Sequence, residues 1–123
     1  MFHLIRPADQ KRNANGTIAF EGRPNGGGVS VFLVNAAPGQ GPELHTHPYS
    51  ETWIVRSGRA EMRVGKEKLV AEPGDIIVVE PQVPHGFKCI GPEQLEITCI
   101  HASDHFIQEW VEERGEWVEE RAA

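Results

Sequence analysis

The residues best equipped for chemistry are His45, His47 and Glu51, within the stretch from Gly39 to Gly58. On a β-strand residues i and i+2 point to the same face, so His45 and His47 present two imidazoles side by side. Glu51 opens the alternating run Glu51-Thr52-Trp53-Ile54-Val55 and brings a carboxylate to the same wall. Two neutral imidazoles and a carboxylate suit a first-row divalent metal, in the manner of the facial site of non-haem iron oxygenases. A fourth candidate ligand is His85, between Pro84 and Gly86; Pro81 and Pro84 stiffen the loop that presents it. His101 lies on the alternation of Ile97 and Cys99 and is expected to face inward. There it would be a histidine of the core or a group hydrogen-bonding a ligand from behind the metal. His3 and His105 read as surface residues.

These positions carry a resemblance to a family. Gly39, five residues, His45-x-His47, three residues, Glu51, six residues and Gly58 are similar to the first conserved motif of the cupins. Gly74-Asp75 through Pro81, Pro84 and His85 resembles the second, with His85 eleven residues after Gly74. Two departures stand out: Pro81 and Pro84 replace the usual intervening Pro and Gly, and Cys89 stands where an Asn is common. Neither is at a ligand position. The resemblance covers roughly residues 28 to 102. It implies a double-sheet jelly roll, the small bacterial type of cupin, and one divalent transition metal held by His45, His47, Glu51 and His85. Histidine and carboxylate donors accept Fe, Mn, Ni, Zn, Cu or Co, so the ion's identity stays open. The resemblance also implies a homodimer. It does not fix a reaction.

The elements needed to position these side chains are legible. The chain of 123 residues has the size of one domain, read as 1–123, with a barrel core at about 17–102. Thirteen glycines and nine prolines punctuate short runs rich in Val and Ile, as many short strands with tight turns require. Expected strands are Phe2 to Ile5 at an edge, Thr17 to Glu21, Ser30 to Val34, Thr52 to Arg56, Ala60 to Val64, Lys68 to Ala71, Ile76 to Val79, Phe87 to Ile90 and Leu95 to His101. The fold class is therefore all-β. Beyond the barrel, Phe106, Ile107, Trp110, Val111, Trp117 and Val118 recur at helical spacing among glutamates. This predicts an amphipathic helix over about 104–120, capped by Ser103.

Charge and composition exclude some partners. The net charge is −6, and the segment from Asp104 onward holds seven acids against two arginines. No basic groove suggests nucleic acid, and no apolar stretch is long enough to span a bilayer as a helix. The first residues lack the apolar core of a secretory signal, so a cytoplasmic protein is expected. Cys89 and Cys99, the only cysteines, read as reduced core thiols.

Alternation also suggests what surrounds the metal. Trp53 and Val55 follow Glu51 inward, Met62 and Val64 come from the next strand, and Ile77, Phe87 and Cys99 complete the candidate substrate pocket. Arg56, Arg59 and Arg63 lie nearby without being aimed at this interior. An apolar cavity around one metal favours a small uncharged or aromatic organic ligand. Three functions follow. One is a dioxygenase, in which Glu51 doubles as a base. The second is a metal-assisted isomerase, cyclase or lyase, with His101 shuttling a proton. The third is a non-catalytic small-molecule binding barrel. An apolar pocket without a fixed general acid tips the balance to oxygen chemistry.

Overall fold

The structure, a computed structural model, describes residues 1–111. In chain order its strands are β1 (Lys11–Arg12), β2 (Ile18–Phe20), β3 (Ser30–Ala36), β4 (His45–Thr46), β5 (Glu51–Ser57) and β6 (Ala60–Val64). They continue as β7 (Glu67–Ala71), β8 (Ile76–Val79), β9 (His85–Cys89), β10 (Leu95–His101) and β11 (Glu109–Trp110). They form a six-stranded sheet in the order β1-β2-β3-β10-β5-β8 and a five-stranded sheet in the order β11-β4-β9-β6-β7. All pairings are antiparallel. This is the expected all-β jelly roll.

Period-two patterning decides which side chains meet. In β5, Glu51, Trp53 and Val55 are buried while Thr52 and Ile54 face out; in β10, Leu95, Ile97, Cys99 and His101 are buried. Together with Ala60, Met62, Ala71, Val79, Phe87 and Cys89 they fill the space between the sheets. Register then sets the polar group. His101 lies opposite Glu51 on the six-stranded sheet, and His45 lies opposite His85 on the five-stranded sheet. Facing sheets pack about 10 Å apart, so side chains from both walls reach one point between them.

Two expectations fail for tertiary reasons. Phe2 to Ile5 forms no strand, and Phe2 and Leu4 are exposed. The outer place in the sheet goes to Lys11–Arg12, paired with Ile18 and Ala19. The Asn13 carboxamide oxygen closes that hairpin by accepting the Asn15 and Thr17 N–H groups. Nor does a helix begin at 104: residues 104–111 are bends, extended chain and β11. Side chains and backbone elsewhere in the fold claim this segment. Asp104 pairs with Arg23, the Phe106 N–H donates to the Glu21 carboxylate, and Glu109–Trp110 pairs with Thr46 and His45. The rest of the expected helix, 112–120, lies outside the described residues.

Gly58 shows how tightly the sheets are tied. Its φ is +78°, and a Cβ there would collide with the backbone of Gln94 and Leu95. Gly58→Ala should therefore destabilise by about 1–3 kcal/mol for the left-handed backbone, with the collision adding to this. Urea denaturation of the variant beside the parent protein measures it.

Candidate metal centre

Three imidazoles are fixed from behind by backbone carbonyls. His45 Nδ1 lies 2.6 Å from the Glu43 oxygen, His85 Nδ1 2.8 Å from the Val83 oxygen, and His47 Nδ1 2.7 Å from the Ile107 oxygen. A carbonyl only accepts, so each Nδ1 carries the hydrogen and each Nε2 is left facing the interior. Gly86 allows the wall to close, because a Cβ at that position would come within 2.9 Å of the Pro42 oxygen in the chain leading to His45. The ligand atoms of His45, His47, Glu51 and His85 all lie within 4.8 Å of one another, and all four residues are buried. This His/Glu group could hold one metal ion.

The donor set fits a cation on electrostatic grounds. Glu51 Oε1 is 2.9 Å from His85 Nε2 and 3.1 Å from His47 Nε2, while Oε2 accepts the Trp53 indole N–H at 2.9 Å. A neutral imidazole with its hydrogen on Nδ1 has only a lone pair to set against that carboxylate. The cluster is satisfied either by doubly protonated rings or by a divalent ion among the four groups. Burial alone would raise the Glu51 carboxyl, but His101, His47 and His85 outweigh it and hold the group well below the usual carboxylate range. Burial lowers the His45 imidazole to about 4, opposed by its bond to the Glu43 carbonyl and reinforced by His85 and His47. His45 is thus neutral, with its lone pair free, at ordinary pH.

His101 faces inward, as alternation predicts, and stands beside the group. Its Nε2 lies 3.1 Å from Glu51 Oε2, without the alignment of a hydrogen bond, and its Nδ1 is 2.7 Å from the Tyr49 hydroxyl. Tyr49 escaped the sequence reading. Its ring stacks on His47 with centroids 4.9 Å apart, and its oxygen accepts the Ile107 N–H. The available signal was spacing: Tyr49 sits two residues after His47 and two before Glu51. Burial raises its hydroxyl above the ordinary value, so it stays protonated.

A cavity of about 470 Å³ adjoins Glu51, His45 and His101. Of the expected lining, Trp53, Phe87 and Cys99 reach it; Val55, Met62, Val64 and Ile77 do not. Val55 and Met62 are wholly buried, and Val64 and Ile77 pack against the same core. The cavity lies toward β3 and β11, where Phe32, Val34 and Trp110 line it. The alternation of Phe32, Val34 and Ala36 was the clue to that wall. No Lys or Arg is among its lining within the described residues. Cys89 and Cys99 are both buried and free, and burial, with the Glu51 carboxylate, pushes the Cys99 thiol well up.

Comparison with known proteins agrees with this architecture. The Cupin domain family matches residues 32–101, more than half of the chain. The chain belongs to the cupin family. A crystal structure of an uncharacterized conserved protein with a double-stranded beta-helix domain, from Klebsiella pneumoniae, is 26% identical. That match covers 90% of this chain and 98% of the other, with a TM-score of 0.71. An oxalate oxidase is similar at 20% identity and a TM-score of 0.68, over 80% of this chain and 57% of its own. Bacillus subtilis oxalate decarboxylase, studied for its Mn(II) centers, is similar at 24% identity and a TM-score of 0.72. That match covers 82% of this chain and 29% of the decarboxylase. The last two likenesses speak to the fold alone. Among curated proteins none matches the sequence significantly.

The lowered His45 and Glu51 values give a signed pH dependence for the metal-free protein. Unfolded His45 takes up a proton near 6.5, whereas folded His45 resists until about 4. Stability should therefore be full above 6.5 and fall as pH drops toward 4. The Glu51 contribution, present above 4.5, is lost only at lower pH. Denaturant midpoints across this range should show the decline, and His45→Ala should flatten its upper part.

Proposed function

We propose that the chain binds one divalent transition metal through His45, His47, Glu51 and His85 and acts on a small, mostly apolar organic molecule as a dioxygenase. The observation that carries this reading is the convergence of three carbonyl-anchored imidazoles on one buried carboxylate, beside a cavity whose apolar wall of Phe32, Val34, Trp53, Phe87 and Trp110 is joined by the uncharged Asn13, Asn15, Thr17, Asn35, Gln40 and Gln108. A bound ion would supply redox or Lewis-acid chemistry at positions the protein leaves open. The chain's own residues do the rest. Phe32, Val34, Trp53 and Phe87 exclude water and receive an apolar body, and the Trp53 N–H steadies Glu51. Among the described residues the lining holds no Lys or Arg to pair with a small dianion, which favours an uncharged ligand over a dicarboxylate.

A second reading, metal-assisted isomerisation or elimination, is favoured by one contact. The Tyr49 hydroxyl and His101 form a short polar pair beside Glu51, suited to holding and returning a proton. Metal content and oxygen uptake separate the readings. Mass spectrometry of protein purified without chelator should find about one ion per chain, and iron with substrate-dependent oxygen consumption supports the dioxygenase. Zinc with turnover but no oxygen uptake moves the assignment to the second reading, and ligand binding without turnover moves it to a carrier.

His47→Ala and Glu51→Ala should each lose most of the metal yet keep the β-sheet circular dichroism, because strand pairing runs through backbone bonds. His101→Ala should retain the metal. Full metal content in the doubly substituted His45→Ala, His47→Ala protein would overturn the ligand assignment.

A further inference from the structure

The cavity beside Glu51 changes chemistry along its length. Its inner end lies at the row of Ser30, His101 and Glu51, which β3, β10 and β5 bring side by side. Phe32, Cys99 and Trp53 form the next inward row. From Ser30 to Asn35 the strand β3 runs for about 17 Å, at about 3.4 Å per residue. Toward that outer end the lining turns to carboxamides, those of Asn13, Asn35 and Gln40. Backbone bonds fix how each is turned. Asn13 Oδ1 accepts the Asn15 and Thr17 N–H groups at 2.9 and 3.0 Å, and Gln40 Oε1 accepts the Ala37 N–H at 2.9 Å. Asn35 is turned the other way, its Nδ2 donating to the Gly16 oxygen at 3.1 Å. An N–H only donates and a carbonyl only accepts, so none of the three amides can be flipped. Thr17 Oγ1 accepts the Asn35 N–H at 2.9 Å and donates to the Asn35 backbone oxygen at 3.0 Å, which locks the β1-β2 hairpin to β3. Each amide thus has one end left for the cavity it lines: an NH2 from Asn13, an NH2 from Gln40 and a carbonyl oxygen from Asn35.

Resting on the proposed metal-dependent activity for the chemistry of the inner end, we infer that the ligand is an apolar body carrying a neutral carboxamide head, held by Asn13, Gln40 and Asn35. A carboxamide oxygen has two lone pairs for the two NH2 groups, and its N–H answers the Asn35 oxygen. A carboxylate has no donor for Asn35, and among the described residues it finds no Lys or Arg in the lining. An ammonium would face two donors and could accept from neither. Between head and centre the body meets Phe32, Val34, Trp53 and Phe87. A volume of about 470 Å³ falls within the usual range of small-molecule sites and accommodates one ring, a short arm and the head. Because backbone bonds pin all three amides before a ligand arrives, little side-chain ordering opposes binding.

Calorimetric titration of the full chain, as purified and again after chelation, tests this with three probes. They are 3-(4-hydroxyphenyl)propanamide, the corresponding propanoate and the isosteric, apolar 4-isopentylphenol. The amide should bind more tightly than the propanoate. Asn13→Asp and Gln40→Glu keep the oxygens that hold Asn15, Thr17 and Ala37 but replace each remaining NH2 with an acceptor. In the doubly substituted protein the amide should lose about tenfold in affinity, as two neutral hydrogen bonds would supply, while 4-isopentylphenol changes by less than about twofold. Equal changes for the two probes, an amide no tighter than the propanoate, or no binding by any probe overturns the inference. Metal content and oxygen uptake are read separately on the same samples. A protein that holds no metal loses the proposed activity yet still shows the amide preference after chelation. A metal-loaded protein without that preference loses only the ligand assignment.

Discussion

The polar centre of this molecule depends on one buried carboxylate. Glu51 is buried between the sheets, where an isolated anion would carry a large desolvation cost. It is tolerated because three imidazoles and an indole N–H surround it. His47 and His85, like His45, are in turn aimed by carbonyl oxygens that accept only from Nδ1, whereas His101 turns its Nδ1 to the Tyr49 hydroxyl. The direction of the Nε2 lone pairs of His45, His47 and His85 therefore traces to backbone geometry. The strands come first, and the donor set is a product of their register.

That hierarchy explains which parts were legible in the sequence. The ligand group is written in local spacing: His45 and His47 two apart, Glu51 at the start of an alternating strand, His85 behind a stiffening proline. Each of those relations survives folding because it lives within one strand or turn. His101 was placed inward by the same parity. What spacing could not reveal was which cavity wall would be left open. Val55, Met62, Val64 and Ile77 face inward as alternation requires, yet they are consumed by packing in the core. The vacant space falls instead beside Phe32, Val34 and Trp110, a matter of how the two sheets part toward β3 and β11.

The segment after β10 shows the opposite case, in which the local signal is strong and tertiary partners defeat it. Phe106, Ile107, Trp110 and Val111 recur at helical spacing, but a helix would satisfy its N–H and C=O groups internally. Here the Ile107 carbonyl serves His47, the Phe106 N–H serves Glu21, and Glu109–Trp110 extends a sheet. Helix propensity differs by only some tenths of a kcal/mol per residue among ordinary residues, which a few hydrogen bonds and a stacked ring outweigh. Phe106 stacks on Phe32 with centroids 4.2 Å apart, so its apolar side chain finds cover without a helix.

Ile107 joins two parts of the chain that are far apart in sequence. Its oxygen orients His47 and its N–H supports Tyr49, so the strap that follows the barrel is a structural member of the centre. Thermodynamic linkage makes that relation reciprocal: whatever free energy a seated strap adds to ion affinity, the ion returns to the seating of the strap. An ion held at this centre would therefore be linked to the seating of Ile107 against His47 and Tyr49, although Ile107 follows His47 by sixty residues.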